Sequence, residues 1–325
     1  MDYKVRYIEY KSLIENCLRN YCKESKPKLL YQPIRYILDG GGKRIRPILV
    51  MLSCEAVGGK AEDATYAACA IELLHNFTLV HDDIMDNAET RRGRATIHKK
   101  WDTSIAILSG DALICVAYQA LLKTQSPYLQ RIAELFTEGV LEVCEGQTYD
   151  KEFEKRKNVS VEEYMLMIAK KTGMLVAVST QIGALIVNGN KEQIEALRAY
   201  GVLVGRAFQI QDDLLDCIAD EKEFGKKIGS DLREGKKTFL LLDALRKAKG
   251  TDRKMLKEVV QNKGIRESQI KKYLQIFNKT GAIETAKRYI ESDINDAKVH
   301  LNKLNPSPAR DMLFWFTDML LKRSY

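Results

Sequence analysis

The chain has 325 residues, 45% hydrophobic and 30% charged. That is enough apolar side chain for a sizeable core and enough charge for a wet surface, and it is not a disordered or fibrous composition. The net charge of +8 comes without a dense basic tract interleaved with aromatics, which argues against nucleic-acid binding.

Seven cysteines, an odd number with no CxxC pair, argue against a disulfide framework or a zinc site and fit a reducing, cytoplasmic setting. The N-terminal stretch is charged throughout and lacks an apolar signal core. No run approaches the roughly 18 uninterrupted apolar residues of a membrane span, so none is expected.

Apolar residues recur at helical spacing along most of the chain. In residues 65–80 they are Ala67, Ala70, Ile71, Leu74 and Phe77. Segments 104–122, 129–149 and 191–200 read likewise, as does 202–218 with Leu203, Ala207, Ile210 and Leu214. Leu175–Val187 is β-branched enough for a buried strand, but its length and the helical run before it favour a helix. Breaks fall at Gly40–Gly42, Gly58–Gly59, Ser126–Pro127, Lys157–Ser160, Asn188–Asn190, Gly225–Gly235, Gly250 and Pro306–Pro308. Period-two strands with hairpin turns are not evident. The expectation is an all-α chain, a single domain over residues 1–325 built around a central cluster of helices.

The chemistry lies in two acidic clusters. Asp82-Asp83-Ile84-Met85-Asp86 ends the first apolar helix, with Asp82 and Asp86 one turn apart on one face. Such like charges repel unless a cation sits between them, and Mg²⁺ takes one or two carboxylates together with phosphate oxygens and water. Alone, the cluster reads more readily as a solvated, acidic helix end. Its repetition as Asp212-Asp213-Leu214-Leu215-Asp216, again at an apolar helix, points to two carboxylate walls around metal ions.

Cations follow where a diphosphate needs them. Lys43, Arg44 and Arg46 come after the turn Gly40-Gly41-Gly42, Arg91 and Arg92 after the first cluster, and Lys226, Lys227, Lys236 and Lys237 after the second. The glycine turn lacks the Walker spacing, and no HExxH or nucleophile-elbow serine is present. Metals and cations without a nucleophile indicate chemistry by leaving-group activation.

The ordered set GGGKRIRP, HDDIMDNAETRRG, GQTYD, KTG, FQIQDDLLD and GKKIGSDLREGKKT resembles the trans-isoprenyl diphosphate synthases from about Tyr31 to Leu242. The resemblance implies a helical bundle around a deep central cavity, usually a homodimer. It also implies Mg²⁺-dependent, head-to-tail condensation of isopentenyl diphosphate with dimethylallyl, geranyl or farnesyl diphosphate. By resemblance, Asp82, Asp86 and Asp212 hold a cluster of about three Mg²⁺, with Asp83, Asp213 and Asp216 as further acids. Arg91, Lys171, Lys226 and Lys236 are implied as partners of the allylic diphosphate. Lys43, Arg46, His75 and Arg92 form the isopentenyl diphosphate pocket. Lys171, Thr172 and Gln209 are the catalytic residues by the developing cation, supported by Gln147 and Asp150. Gly173, in Lys171-Thr172-Gly173, marks either a kink that frees carbonyls or a plain packing contact. Ala95 replaces the proline often found after the arginine pair.

Chain length follows from the turns below Asp82: Thr78, Leu74 and Ile71, with Phe77 beside Thr78. An aromatic at the fifth position before the first Asp, a small residue at the fourth and no insertion in the motif resemble archaeal-type geranylgeranyl diphosphate synthases. If Phe77 is merely core, a longer product follows; a fifteen-carbon product is the other alternative. A class I terpene cyclase and a non-catalytic regulatory subunit are the rival readings, disfavoured by the second all-Asp motif.

Overall fold

The computed structural model describes residues 2–21, 26–218, 228–262 and 264–321. These residues are helical almost throughout: α1 (Tyr3–Tyr21), α2 (Lys28–Leu38), α3 (Ile45–Ala56), α4 (Thr65–Met85), α5 (Ile97–Lys100), α6 (Thr103–Leu121), α7 (Leu129–Lys155), α8 (Val161–Ile168), α9 (Met174–Ile186), α10 (Lys191–Ile218), α11 (Ser230–Glu234), α12 (Phe239–Lys247), α13 (Gly250–Gln261), α14 (Ile270–Lys279), α15 (Ala282–Leu301) and α16 (Pro308–Leu321). The all-α expectation holds, and the ambiguous Leu175–Val187 segment is helix α9.

Three details differ from the sequence reading. The span Gly225–Gly235, expected as a break, carries the five-residue helix α11 in its described part. The runs 191–200 and 202–218 form one helix, α10, which passes through Gly201 and Gly205. A hairpin of two-residue strands, β1 (Thr90–Arg91) and β2 (Arg94–Ala95), is also present. Its turn residues Arg92 and Gly93 have φ of 52° and 73°, as a tight type I′ hairpin turn requires. Strands of two residues are too short for alternation to betray them.

Backbone proximity divides the chain into two compact units. The first comprises Met1–Val140, Val178–Leu197 and Leu304–Leu313. Its centre is α4, buried on every side by Ala67, Ala68, Cys69, Ala70, Ile71, Leu73 and Leu74, as a core helix must be. α4 packs along α6, and also against α1 and α3. With a mean hydropathy of 1.6, α6 is long and apolar enough to cross a membrane by length and composition. Its buried positions Ala106, Ser109, Gly110, Leu113 and Ala117 are spaced as one helical face, the pattern of a core helix.

The glycine turn before α3 is anchored on this centre. Arg44, 2% exposed, adopts a left-handed backbone with φ of 51°. Its guanidinium lies 2.8 Å from Glu15 Oε1 and 2.6 Å from Glu72 Oε1 on α4, and donates to Leu38 O at 2.9 Å.

The second unit comprises Leu141–Ala177, Arg198–Lys303 and Phe314–Tyr325. It gathers around α12, whose Phe239, Leu240, Leu241, Leu242 and Ala244 are buried. α12 packs on α8, α13, α14 and α15. Much of the C-terminal third, which carried no motif, is therefore core for this unit. Between α8 and α9, residues Ala169–Gly173 form a π-helical turn in which Met174 N–H donates to Ala169 O.

Candidate active site

The first acidic cluster sits in the last turn of its helix and the second near the described end of its own. α4 ends at Met85 with Asp86 as its C-cap, and Asp212–Asp216 precede the described end of α10 at Ile218. A helix C-terminus carries partial negative charge, so carboxylates there are disfavoured by about 0.3–1 kcal/mol each. Asp82 is half-buried and Asp86 exposed, one turn apart. Among the described residues no three His, Cys, Asp or Glu side chains already converge on one point. Oxygen donors in pairs at a negative helix end nevertheless suit a hard divalent cation that completes its shell with phosphate and water.

The middle carboxylates are engaged differently. Asp83 is buried and paired to Arg91, with Nε 2.8 Å and NH2 2.7 Å from Oδ1. Burial raises the Asp83 pKa, and the Arg91 charge opposes the shift. Asp83 thereby fastens the arginine hairpin to the end of α4.

Asp213 is likewise buried. It accepts hydrogen bonds from the Tyr164 hydroxyl, from Phe239 N–H at 3.1 Å and from Gln209 Nε2 at 3.2 Å. Burial pushes its pKa up to about 7 against the pull of these donors. Asp216 accepts from Ser230 Oγ at 2.5 Å and from the N–H groups of Ser230 and Asp231 at 3.2 and 3.1 Å. Asp83, Asp213 and Asp216 are thus tied into the protein.

In the first unit the structure brings most of the expected cations together. Arg46 NH1 lies 3.3 Å from His75 Nε2. Guanidinium only donates, so Nε2 accepts and the proton resides on Nδ1. Burial and the surrounding arginines, Arg46 foremost, hold His75 well below its ordinary pKa, and it is neutral. Arg92 donates to Gly41 O, and a Cβ on Gly42 would come within 3.1 Å of its NH2. Lys43 is exposed beside this turn. Arg44 is the exception: it belongs to the core and leaves Lys43 and Arg46 as the turn's cations for an anion.

The second unit holds a continuous hydrogen-bonded row. Thr172 Oγ1 donates to Gln209 Oε1 at 3.0 Å, and Gln209 in turn donates to Asp213. Lys171 Nζ lies 2.6 Å from Asp150 Oδ2. Gln147 is buried. Lys236 is half exposed and pairs with Glu234 at 2.8 Å. Lys226 lies outside the described residues. Phe77 and Thr78 are half-buried, Leu74 and Ile71 fully buried. The Phe77 ring meets that of His81 edge-on at 4.8 Å between centroids.

Sequence reasoning missed Tyr164, Ser230 and the Phe239 N–H, because their roles arise only from tertiary contact. It also missed a glycine clamp on the π-turn. A Cβ on Gly146 of α7 would fall 2.3 Å from Lys171 N, and one on Gly205 of α10 would fall 2.4 Å from Gly173 Cα. Gly173 is thus a packing contact, and it also ends the π-turn. The local signal was slight: a glycine inside a helix costs about 1 kcal/mol relative to Ala and so asks for a reason. Gly205→Ala is expected to destabilise the protein by about 1–3 kcal/mol through overpacking. Activity is expected to fall further than that loss explains, because Thr172 shifts with the turn. Urea denaturation alongside turnover of the folded fraction checks this.

The family model for polyprenyl synthetase matches residues 27–277. The chain belongs to the polyprenyl synthetase family. It is therefore a trans-prenyltransferase, as the acidic motifs led one to expect. The match takes in residues of both compact units. The short chain isoprenyl diphosphate synthase of Methanothermobacter thermautotrophicus is 38% identical over 98% of this chain and 97% of its own. The geranylgeranyl diphosphate synthase of Methanosarcina mazei is 38% identical over 93% of this chain and 92% of its own. Among solved structures, the geranylgeranyl pyrophosphate synthetase of Pyrococcus horikoshii superposes with a TM-score of 0.94, at 39% identity and full coverage of both chains. In this polyprenyl synthetase the row Thr172–Gln209–Asp213 and the paired arginines occupy the motifs that mark the family resemblance.

Proposed function

We propose that this polyprenyl synthetase condenses isopentenyl diphosphate with allylic diphosphates up to geranylgeranyl diphosphate, as one functional domain and with Mg²⁺. The observation that carries the product length is the burial gradient along α4. Phe77 and Thr78 keep accessible surface, whereas Leu74 and Ile71, one and two turns deeper, have none. A growing prenyl chain lying against this face stops at the Phe77 ring, which His81 braces.

Asp82, Asp86 and Asp212 are the carboxylates assigned to the metal; Asp83 and Asp216 serve to position Arg91 and the Ser230–Asp231 turn. Bound Mg²⁺ supplies charge neutralisation of the departing diphosphate. Arg91, Lys236 and Lys171 add positive charge to the same leaving group, with Lys226 as a further candidate on sequence alone. Lys43, Arg46 and Arg92 hold the second diphosphate, with neutral His75 orienting Arg46. Thr172 and Gln209 present oxygen to the developing allylic cation, from which water must be excluded.

Phe77→Ser tests the assignment: the main product is expected to lengthen beyond twenty carbons, read by sizing the dephosphorylated alcohols. Unchanged length would remove Phe77 as the floor.

The chain also pairs with a second copy through the exposed side of α6. There Ile107 and Leu108, 44% and 54% exposed, and Cys115 lie at helical spacing on a face that also carries Asp111, and the exposed apolar pair is the part that asks for a partner. Leu108→Glu is expected to convert a dimer to monomer by light scattering after gel filtration. A monomeric wild-type protein would refute the pairing.

A further inference from the structure

The second unit carries a cleft lined by neither acidic motif. Its volume is about 380 Å³, in the range of small-ligand pockets. Three elements build it: the turn Lys157–Ser160 leading into α8, α12 with the preceding Lys237, and α13. The floor is apolar. Val161 and Leu242 are buried, and Val159, Leu245 and Val260 partly so.

The rim is cationic: Lys157, Lys237, Arg246, Arg253 and Lys257 face a single carboxylate, Glu162. Arg246 is taken up by Asp243, 2.6 Å away. Arg253 and Lys257 stand one turn apart on α13, a like-charge arrangement that is unfavourable until an anion joins it. Cations drawn from three elements over an apolar floor match a ligand with an anionic head and a short apolar body.

We propose that this cleft binds a small amphiphilic phosphate, its phosphate or diphosphate head on Lys157, Arg253 and Lys257 and its apolar part on Val159, Leu245 and Val260. The site has a route to the second acidic motif. Lys237 lies two residues before Phe239, whose N–H is 3.1 Å from Asp213 Oδ2. Lys237 is itself on the rim of the cleft, so a ligand bound there lies beside the segment that fixes Asp213. The proposal concerns binding and stands whatever product the chain makes.

The test is calorimetric titration of the full chain with dodecyl phosphate, below its micelle concentration and in EDTA, so that no Mg²⁺-dependent substrate binding contributes. One site is expected, at least tenfold weaker in Arg253→Ala/Lys257→Ala and unchanged in Arg46→Ala. Inorganic phosphate is expected to bind at least tenfold more weakly than dodecyl phosphate. Hydrogen exchange is expected to slow across residues 237–261 on binding. Vesicles of phosphatidylglycerol identify the source of the head group: competition with dodecyl phosphate assigns the cleft to a lipid surface, and its absence to a soluble ligand, both within the proposal. Equal affinity in wild type and the double variant, loss in Arg46→Ala instead, or equal binding of inorganic phosphate would overturn it.

Discussion

Asp82→Asn is expected to reduce condensation by about three orders of magnitude, a barrier increase of about 4 kcal/mol, while leaving the protein as stable as wild type or slightly more so. The two halves of this expectation have one cause. Asp82 lies in the last turn of α4, with Asp83 following it and Asp86 one turn on. In the absence of a cation its charge adds to the negative end of the helix dipole, which costs about 0.3–1 kcal/mol. In the working enzyme the same charge anchors the metal that draws off the diphosphate. A group kept for stability would behave in the opposite way, with its removal lowering the melting temperature and sparing turnover. Thermal denaturation in EDTA and single-turnover rates at saturating Mg²⁺ separate the two.

Arg44→Met is expected to destabilise the fold by about 3–5 kcal/mol, because it leaves the Glu72 carboxylate, 2% exposed, without its cation. Against a total stability of about 5–15 kcal/mol that is a large share. Paired removal is a different matter: Arg44→Met with Glu72→Met is expected to recover most of the loss, since replacing a buried ion pair by apolar side chains is often neutral. A double-mutant cycle in urea measures the coupling. A single-variant loss below about 1 kcal/mol would show that the pair is solvated and that the glycine turn is held by other means.

Helical periodicity was enough to place α4, α6, α7 and α10, because each buries one or more faces over many turns. It misjudged only what periodicity cannot carry. The runs 191–200 and 202–218 read as separate segments and are one helix, α10. The β1–β2 hairpin was too short to alternate. The acidic and basic motifs were legible because their charges lie close together in the chain.

The division of labour within the motifs was not legible. Nothing in Gly40–Pro47 distinguishes Arg44, a core ion-pair residue, from Lys43 and Arg46. Nothing local to Asp212–Asp216 reveals that Asp213 receives Tyr164, Phe239 N–H and Gln209, or that Asp216 receives the Ser230 turn. Those partners come from distant segments, and only tertiary structure brings them to the carboxylates. The role of the chain beyond Leu242 stayed unread for a related reason: α13, α14 and α15 act through packing on α12, which leaves no chemical signature.

The most direct measurement is product analysis of the purified protein with Mg²⁺ and labelled isopentenyl diphosphate, supplied in turn with dimethylallyl, geranyl and farnesyl diphosphates. The dephosphorylated alcohols are then sized. A twenty-carbon alcohol from each starter, absent with Asp82→Asn, is the expected result. No consumption of isopentenyl diphosphate with any starter would contradict the assignment of this chain as a chain-elongating synthase.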